Sequence, residues 1–211
     1  MDFLTAALEP LLQPLFLIDG RPLTTVLELI AFVLAVVMVA CNIRVIAWGW
    51  PLAIVSSLLY FLVFWQSRLY GDAALQIVFA VLALWGWWQW LRGRGDNGAP
   101  LRVHTLPARG RGLLLGAVLV GWPLLGLYLD RYTDTDVPYW DAFPTVASLA
   151  GQYLLGRKLV ENWPTWIVVN AVSVGLFAYK GLWLTTALYL VFIVMAMAGW
   201  RTWRQLAAEP A

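Results

Sequence analysis

The sequence predicts an all-α integral membrane protein of seven transmembrane helices, built as two three-helix bundles around one unpaired linker helix, a 3+1+3 parallel repeat. Three observations carry that prediction. Of 211 residues, 62% are hydrophobic and 12% charged, with 14 tryptophans, whereas about a quarter of a soluble domain is charged. Shifted by 113 residues the chain matches itself without a gap, so that Trp50-Pro51 falls on Trp163-Pro164, Phe79 on Phe192, Gly86-Trp87 on Gly199-Trp200 and Trp90 on Trp203. Fifteen of the 41 positions from Trp50 to Trp90 are identical to their shifted partners, against roughly three or four expected by chance in so biased a composition. Finally, no Lys or Arg lies inside any of the seven apolar stretches.

Those stretches run from Leu23 to Cys41, Trp48 to Trp65, Asp72 to Leu91, Leu113 to Leu129, Ala142 to Leu155, Trp163 to Tyr179 and Trp183 to Trp200, each read as a span on length and hydropathy. Before them, residues 1–22 form an N-terminal segment in which Pro10 and Pro14 break any helix before it could cross. An interfacial or loosely ordered segment is expected there rather than an eighth span. Residues 23–91 form the first bundle. Residues 92–141 hold a basic loop, the linker helix and an acidic loop. The second bundle follows at 142–204 and a tail at 205–211. The fifth span is the least well bounded, being short and carrying Pro144 and Gly151.

Charge orients the chain. The connection after the third span carries Arg92, Arg94, Arg102, Arg109 and Arg111, whereas the next one carries four aspartates and only Arg131. Placing the first in the cytoplasm sets ten basic residues inside and four outside, with the N-terminus out and the C-terminus in. Because one helix separates the copies, they enter the membrane in the same direction, which requires a parallel repeat about an axis along the membrane normal. The Leu113 to Leu129 span is then the inverting linker.

Helical spacing places polar and aromatic residues on stripes. One stripe is Trp163, Trp166, Asn170 and Ser173, and its counterpart is Trp50, Ser57 and Tyr60. Pro51 and Pro164 fall in the first turn, where a missing N–H breaks no helical bond. Ser57 and Asn170 are repeat partners about 10 Å into their helices. The third and seventh spans align Asp72, Gln76, Phe79, Gly86 and Trp90 with Thr185, Tyr189, Phe192, Gly199 and Trp203. Polar groups at such depth face protein or a water-filled cavity; the alternative for Ser57, Gln76 and Asn170 is interhelical hydrogen bonding alone. Trp85, Trp87, Trp88, Trp90, Trp200 and Trp203 sit at cytoplasmic helix ends and read as an aromatic belt. Trp166 and Trp183, the latter paired by the repeat with Tyr70, read as ligand contacts.

Several classes are excluded. His104 is the only histidine and has no metal-ligand cluster beside it; no cofactor or metal is implied, and no base for Ser-His-Asp chemistry lies in the membrane. The basic loop lacks interleaved aromatics and reads as a topology signal and lipid-headgroup contact, with no nucleic-acid partner. The lone Cys41 cannot form an intramolecular disulfide and says nothing of compartment. A charge-free interior gives phosphate or carboxylate no partner, so the expected cargo is neutral or cationic, held by aromatic faces and amides. Glu28, Asp72 and Glu161 lie near helix ends and form no buried relay, which favours passive diffusion over ion symport.

The strings WPLAIVSSLLYF, LYGDAALQIVFAVLALWGWWQW, AGQYLLGRKLVENWPTWIVVNAVS and YKGLWLTTALYLVFIVMAMAGWRTW resemble the PnuC family of bacterial vitamin transporters over about Leu23 to Arg204. The spacing of Trp50, Tyr60, Tyr70, Asp72, Gln76, Gly86, Glu161, Trp163, Trp166, Asn170, Lys180 and Tyr189 makes that resemblance specific. It implies a SWEET-like fold in the bacterial inner membrane, no enzymatic activity, and a homo-oligomer, a trimer being one candidate. It also implies uniport of nicotinamide riboside, trapped by cytoplasmic phosphorylation. Related members carry thiamine or riboflavin, and family members often have asparagine where this chain has Ser56. The expected substrate contacts are Trp50, Ser57, Tyr60, Gln76, Trp166, Asn170, Trp183 and Tyr189.

Overall fold

In a computed structural model, residues 14–18, 21–66, 70–95, 98–179 and 183–209 are described, with side chains at 26, 29–62, 75–95, 98–179 and 186–209. Among them are seven helices: α1 (Val26–Ile43), α2 (Gly49–Gln66), α3 (Tyr70–Arg92), α4 (Ala108–Tyr132), α5 (Pro138–Gly156), α6 (Asn162–Tyr179) and α7 (Trp183–Ala208). Each coincides with one apolar stretch. The least well bounded one starts earlier than expected, because α5 begins with Pro138 in its first turn, where proline's fixed φ suits the helix and its lost N–H is not needed. Ahead of α1, β1 (Pro14–Ile18) pairs antiparallel with β2 (Arg21–Thr25) in a short hairpin. This gives ordered backbone to part of the segment expected to be interfacial or loosely ordered, and moves the start of the first helix to Val26.

Consecutive helices pack antiparallel within two groups, α1 with α2 and α2 with α3, then α5 with α6 and α6 with α7. The groups meet through α1 against α7 and α3 against α5, while α4 packs on α5. Only 6% of the most apolar stretch of α4 is buried. So apolar a helix, bare to its surroundings, has lipid as its natural solvent.

The turns that open α2 and α6 are built alike. Among the described residues Val45 at φ 56° and Lys158 at φ 54° are the non-glycine residues with positive φ, and they stand 113 positions apart. Val45 N donates to Asn42 O at 3.1 Å and Ile46 N to Cys41 O at 2.9 Å; Lys158 N donates to Leu155 O at 3.0 Å and Leu159 N to Leu154 O at 2.9 Å. Left-handed backbone is costly for a β-branched residue such as Val45, and the bonds on either side of it hold it there. This likeness lies upstream of the 41 matched positions, where the side chains have diverged.

Beside these turns four indoles pack together, two pairs of them edge to face. Trp50 meets Trp90 at 5.6 Å and 86°, Trp163 meets Trp203 at 5.5 Å and 88°, and Trp90 meets Trp203 at 6.1 Å. Trp50 covers Gly86 and Trp163 covers Gly199, with the ring where a Cβ would stand, so any larger residue displaces an indole. Trp90 Nε1 donates to Leu155 O at 2.9 Å, across to the second group, and Trp203 Nε1 donates to Asn42 O and Ile43 O at 3.1 Å, across to the first. The aromatic belt read from the sequence is therefore corrected for two members. Trp90 and Trp203 are buried core residues, because their N–H groups find backbone carbonyls inside the protein. Trp88 and Trp200 remain exposed as a belt requires.

The basic loop is more than a charge signal. His104 N donates to Lys158 O and Val160 N to His104 O, Lys158 Nζ donates to Leu101 O at 3.0 Å, and Glu161 accepts from Leu106 N at 2.9 Å and pairs with Arg111 at 3.1 Å. Burial against this loop pushes the Lys158 ammonium below its ordinary pKa. The α5–α6 turn is thus clamped by chain that, among the described residues, has no counterpart at the α1–α2 turn.

Candidate functional site

Between the two groups lies a cavity of about 1100 Å³, at the large end of small-molecule sites. Its floor is the tryptophan cluster at the end of the bundle that carries the basic loop; Asn42, Trp50, Leu155, Asn162 and Trp163 line it there and are buried. Its mouth is at the opposite end, where the exposed Thr133, Asp134 and Asp136 line it with the half-buried Asp141. The linker helix α4 adds Leu125, Tyr128 and Leu129 to the mouth, a part the sequence reading had not given it.

Five of the eight expected contacts lie on this wall: Trp50, Gln76, Trp166, Asn170 and Tyr189. Asn170 is buried. Trp166 stands beside it over Gly151, whose missing side chain makes room for the ring. Tyr189 is flanked by Phe177 at 5.0 Å and Phe192 at 5.9 Å. Ser57 is half-buried and lies off the wall, because the inward face of α2 runs through Trp50, Ala53 and Ser56 at a spacing of three. Tyr60 also lies off the wall and interacts with Tyr189. The side chain of Trp183 lies outside the described residues, as do those of Glu28, Asp72, Tyr70, Lys180 and Thr185.

Five buried side-chain atoms among the described residues have no hydrogen-bond partner within the protein: Asn42 Oδ1, Trp50 Nε1, Gln152 Oε1, Asn162 Oδ1 and Trp163 Nε1. All five residues line this one cavity. A buried polar group left unpaired costs about 1 to 3 kcal/mol, and among the described residues such groups gather only in residues of this cavity's lining. Asn162 shows how the orientation is set: its Nδ2 donates to Leu159 O, which turns Oδ1 the other way. Asn42, Gln152 and Asn162 were missed from the sequence. The signal that could have found Gln152 is its depth, a long amide about one turn short of the end of an apolar helix.

Positions 113 apart line the same cavity, and several of them differ. Ala35, Val39 and Ala53 correspond to Ser148, Gln152 and Trp166, Asn42 to Leu155, and Gln76 to Tyr189. Phe79 and Phe192, like Trp50 and Trp163, are the same on both sides. Such a wall offers flat aromatic faces and amide groups, and among the described residues no Lys, Arg or His lines it. Nor do the described residues hold a cluster of metal-ligating side chains.

Comparison with known proteins agrees on the kind of molecule. A family model described as nicotinamide mononucleotide transporter matches residues 25–205. The nicotinamide riboside transporter PnuC of Escherichia coli is 26% identical over 180 residues, covering 74% of this chain and 75% of that protein. The riboflavin/roseoflavin transporter RibM of Streptomyces davaonensis is 29% identical over 180 residues, covering 83% of each. Among solved structures, the crystal structure of the vitamin B3 transporter PnuC matches with a TM-score of 0.69 and 22% identity, over 86% of this chain and 81% of that one. That last likeness shows the fold alone.

Proposed function

The chain belongs to the nicotinamide mononucleotide transporter family, and from that premise we propose that it carries nicotinamide riboside into the cytoplasm by facilitated diffusion, with phosphorylation inside the cell trapping the product. It is a transporter and not an enzyme. The observation that carries the choice of cargo is the cavity wall, where aromatic and amide side chains stand without any basic side chain among the described residues. A cationic pyridinium stacks on such faces, and a ribose and a carboxamide meet the amides and indole N–H groups. A phosphate finds no cation there, so the riboside named for the bacterial relative fits better than the mononucleotide in the family's description. Riboflavin, named for the other relative, is the second reading; the same aromatic wall and large volume favour it, and the acidic mouth does not.

In this reading the protein lies in the bacterial inner membrane with its N-terminus out. The aspartate mouth faces the exterior and the tryptophan floor closes the cytoplasmic side. The two groups are the halves of a SWEET-like 3+1+3 repeat, α4 being the odd helix. The matching turns and the reciprocal indole bonds support that arrangement. The protein works as a homo-oligomer in contact with lipid. Titration calorimetry against nicotinamide riboside, nicotinamide mononucleotide, thiamine and riboflavin tests the cargo. The riboside should bind most tightly, and tighter binding of riboflavin or of the mononucleotide would replace this reading.

A further inference from the structure

We propose that the tryptophan floor opens at the seam between α1 and α7, and that the seam between α3 and α5, strapped by the basic loop, is the hinge on which the two groups turn. This rests on the transport reading above and adds to it where the movement occurs.

The two seams are repeat partners, since the 113-residue shift pairs α3 with α7 and α1 with α5. Each keeps its indole bond. Trp90 Nε1 donates to Leu155 O across one seam, and Trp203 Nε1 donates to Asn42 O and Ile43 O across the other. A duplication starts with two equal seams, so the positions where the copies differ decide which of them is the stronger.

Among the described residues the α3–α5 seam carries further fastenings. Arg157 Nη1 donates to Gln89 Oε1 at 3.2 Å. Trp85 stacks on Tyr153 at 5.7 Å and 10° and fills the space over Gly156. Lys158 Nζ lies 5.2 Å from the centre of the Trp90 ring while donating to Leu101 O at 3.0 Å, a cation held on an aromatic face. The counterparts on the α1–α7 seam do none of this. Arg44 stands for Arg157 and is exposed. Thr202 stands for Gln89 and donates its hydroxyl to Ala198 O of its own helix at 3.1 Å. Ala198, Ala40 and Val45 stand for Trp85, Tyr153 and Lys158, and offer neither a ring nor a charge.

The chain itself crosses the stronger seam. Beyond α3, Leu101 N donates back to Gly93 O at 3.0 Å, His104 N donates to Lys158 O at 3.1 Å and Val160 N to His104 O at 2.9 Å. Leu106 N then donates to Glu161 at 2.9 Å. The loop is thus a strap from the end of α3 to the α5–α6 turn. Parting α3 from α5 would break these bonds together, whereas parting α1 from α7 at the floor breaks the Trp203 bonds and apolar packing by Ile43, Val45 and Leu206. Two packed groups that rock about a central cavity separate at the weaker edge and pivot on the stronger one.

The test links each seam covalently and measures riboside uptake into proteoliposomes. In a Cys41→Ala background, Gln89→Cys/Arg157→Cys replaces the hydrogen bond across α3–α5, with Trp88→Cys/Tyr153→Cys, at two exposed positions, as a second pair there. Arg44→Cys/Arg204→Cys joins the exposed ends of α1 and α7. A thiol reagent whose bridge is cleaved by reductant forms the links. Linking α3 to α5 should leave uptake at the unlinked level. Linking α1 to α7 should stop uptake, and reduction should restore it. Uptake lost through an α3–α5 link, or kept through the α1–α7 link, would overturn the hinge while leaving the transport reading in place. No riboside uptake by the wild type would refute that reading and the hinge with it.

Discussion

Trp90 and Trp203 donate their indole N–H groups to backbone carbonyls of the opposite half, whereas Trp50 and Trp163, packed against them, donate to nothing within the protein. The same substitution should therefore have unequal consequences at the two kinds of site. Phenylalanine at position 90 or 203 removes a made bond worth about 0.5 to 1.5 kcal/mol and should lower the melting temperature. Phenylalanine at 50 or 163 removes an unpaired donor and leaves only the cost of a smaller ring, so it should lower stability less than at 90 or 203. Thermal melts with and without the riboside separate these cases. Asn170→Ala should weaken riboside binding by about 1 to 3 kcal/mol, as read by calorimetry; an unchanged affinity would return Asn170 to interhelical bonding. Gly86→Ala and Gly199→Ala should each displace an indole and cost about 1 to 3 kcal/mol of stability, as overpacking does.

Among the elements, the turn before α2 and the turn before α6 share backbone geometry but not surroundings. The second is fastened to the basic loop through His104, Leu101 and the Glu161 contacts with Leu106 and Arg111. The Arg111–Glu161 pair is largely exposed at its arginine, so it adds little to global stability. Its effect belongs to the loop. Glu161→Ala should speed tryptic cleavage at Arg102 and Arg109 with only a small change in melting temperature, and Glu161→Gln, which keeps an acceptor for Leu106 N, should lie between. Cleavage at the wild-type rate would show that the backbone bonds to His104 hold the loop unaided. The seven helices themselves were legible in the sequence, because long apolar stretches without Lys or Arg admit few other structures. Their inward faces were less so. A one-residue difference of phase on α2 puts Ser56 inside in place of Ser57, and an apolar helix gives almost no amphipathic contrast from which to read phase. Gln152 was missed for the same reason. The burial of Trp90 and Trp203 was hidden too, since a tryptophan at a helix end looks alike in a belt and in a core until its N–H partner across the bundle is known.

At the scale of the whole molecule, the transport proposed above makes a cavity open towards an acidic loop and closed by four indoles one end state of an alternating-access cycle. In that cycle the Trp90 and Trp203 bonds would have to yield, so those variants should be altered carriers as well as less stable ones, as proteoliposome uptake would read. With no buried relay of acids read from the sequence, movement should follow the riboside gradient alone. The most direct measurement is uptake of labelled nicotinamide riboside into proteoliposomes of the purified protein, with equal pH and salt on both sides. The account predicts saturable uptake that stops at equal concentration and is unchanged by imposing a proton or sodium gradient. No uptake above protein-free liposomes, or accumulation that appears only with an ion gradient, would contradict it.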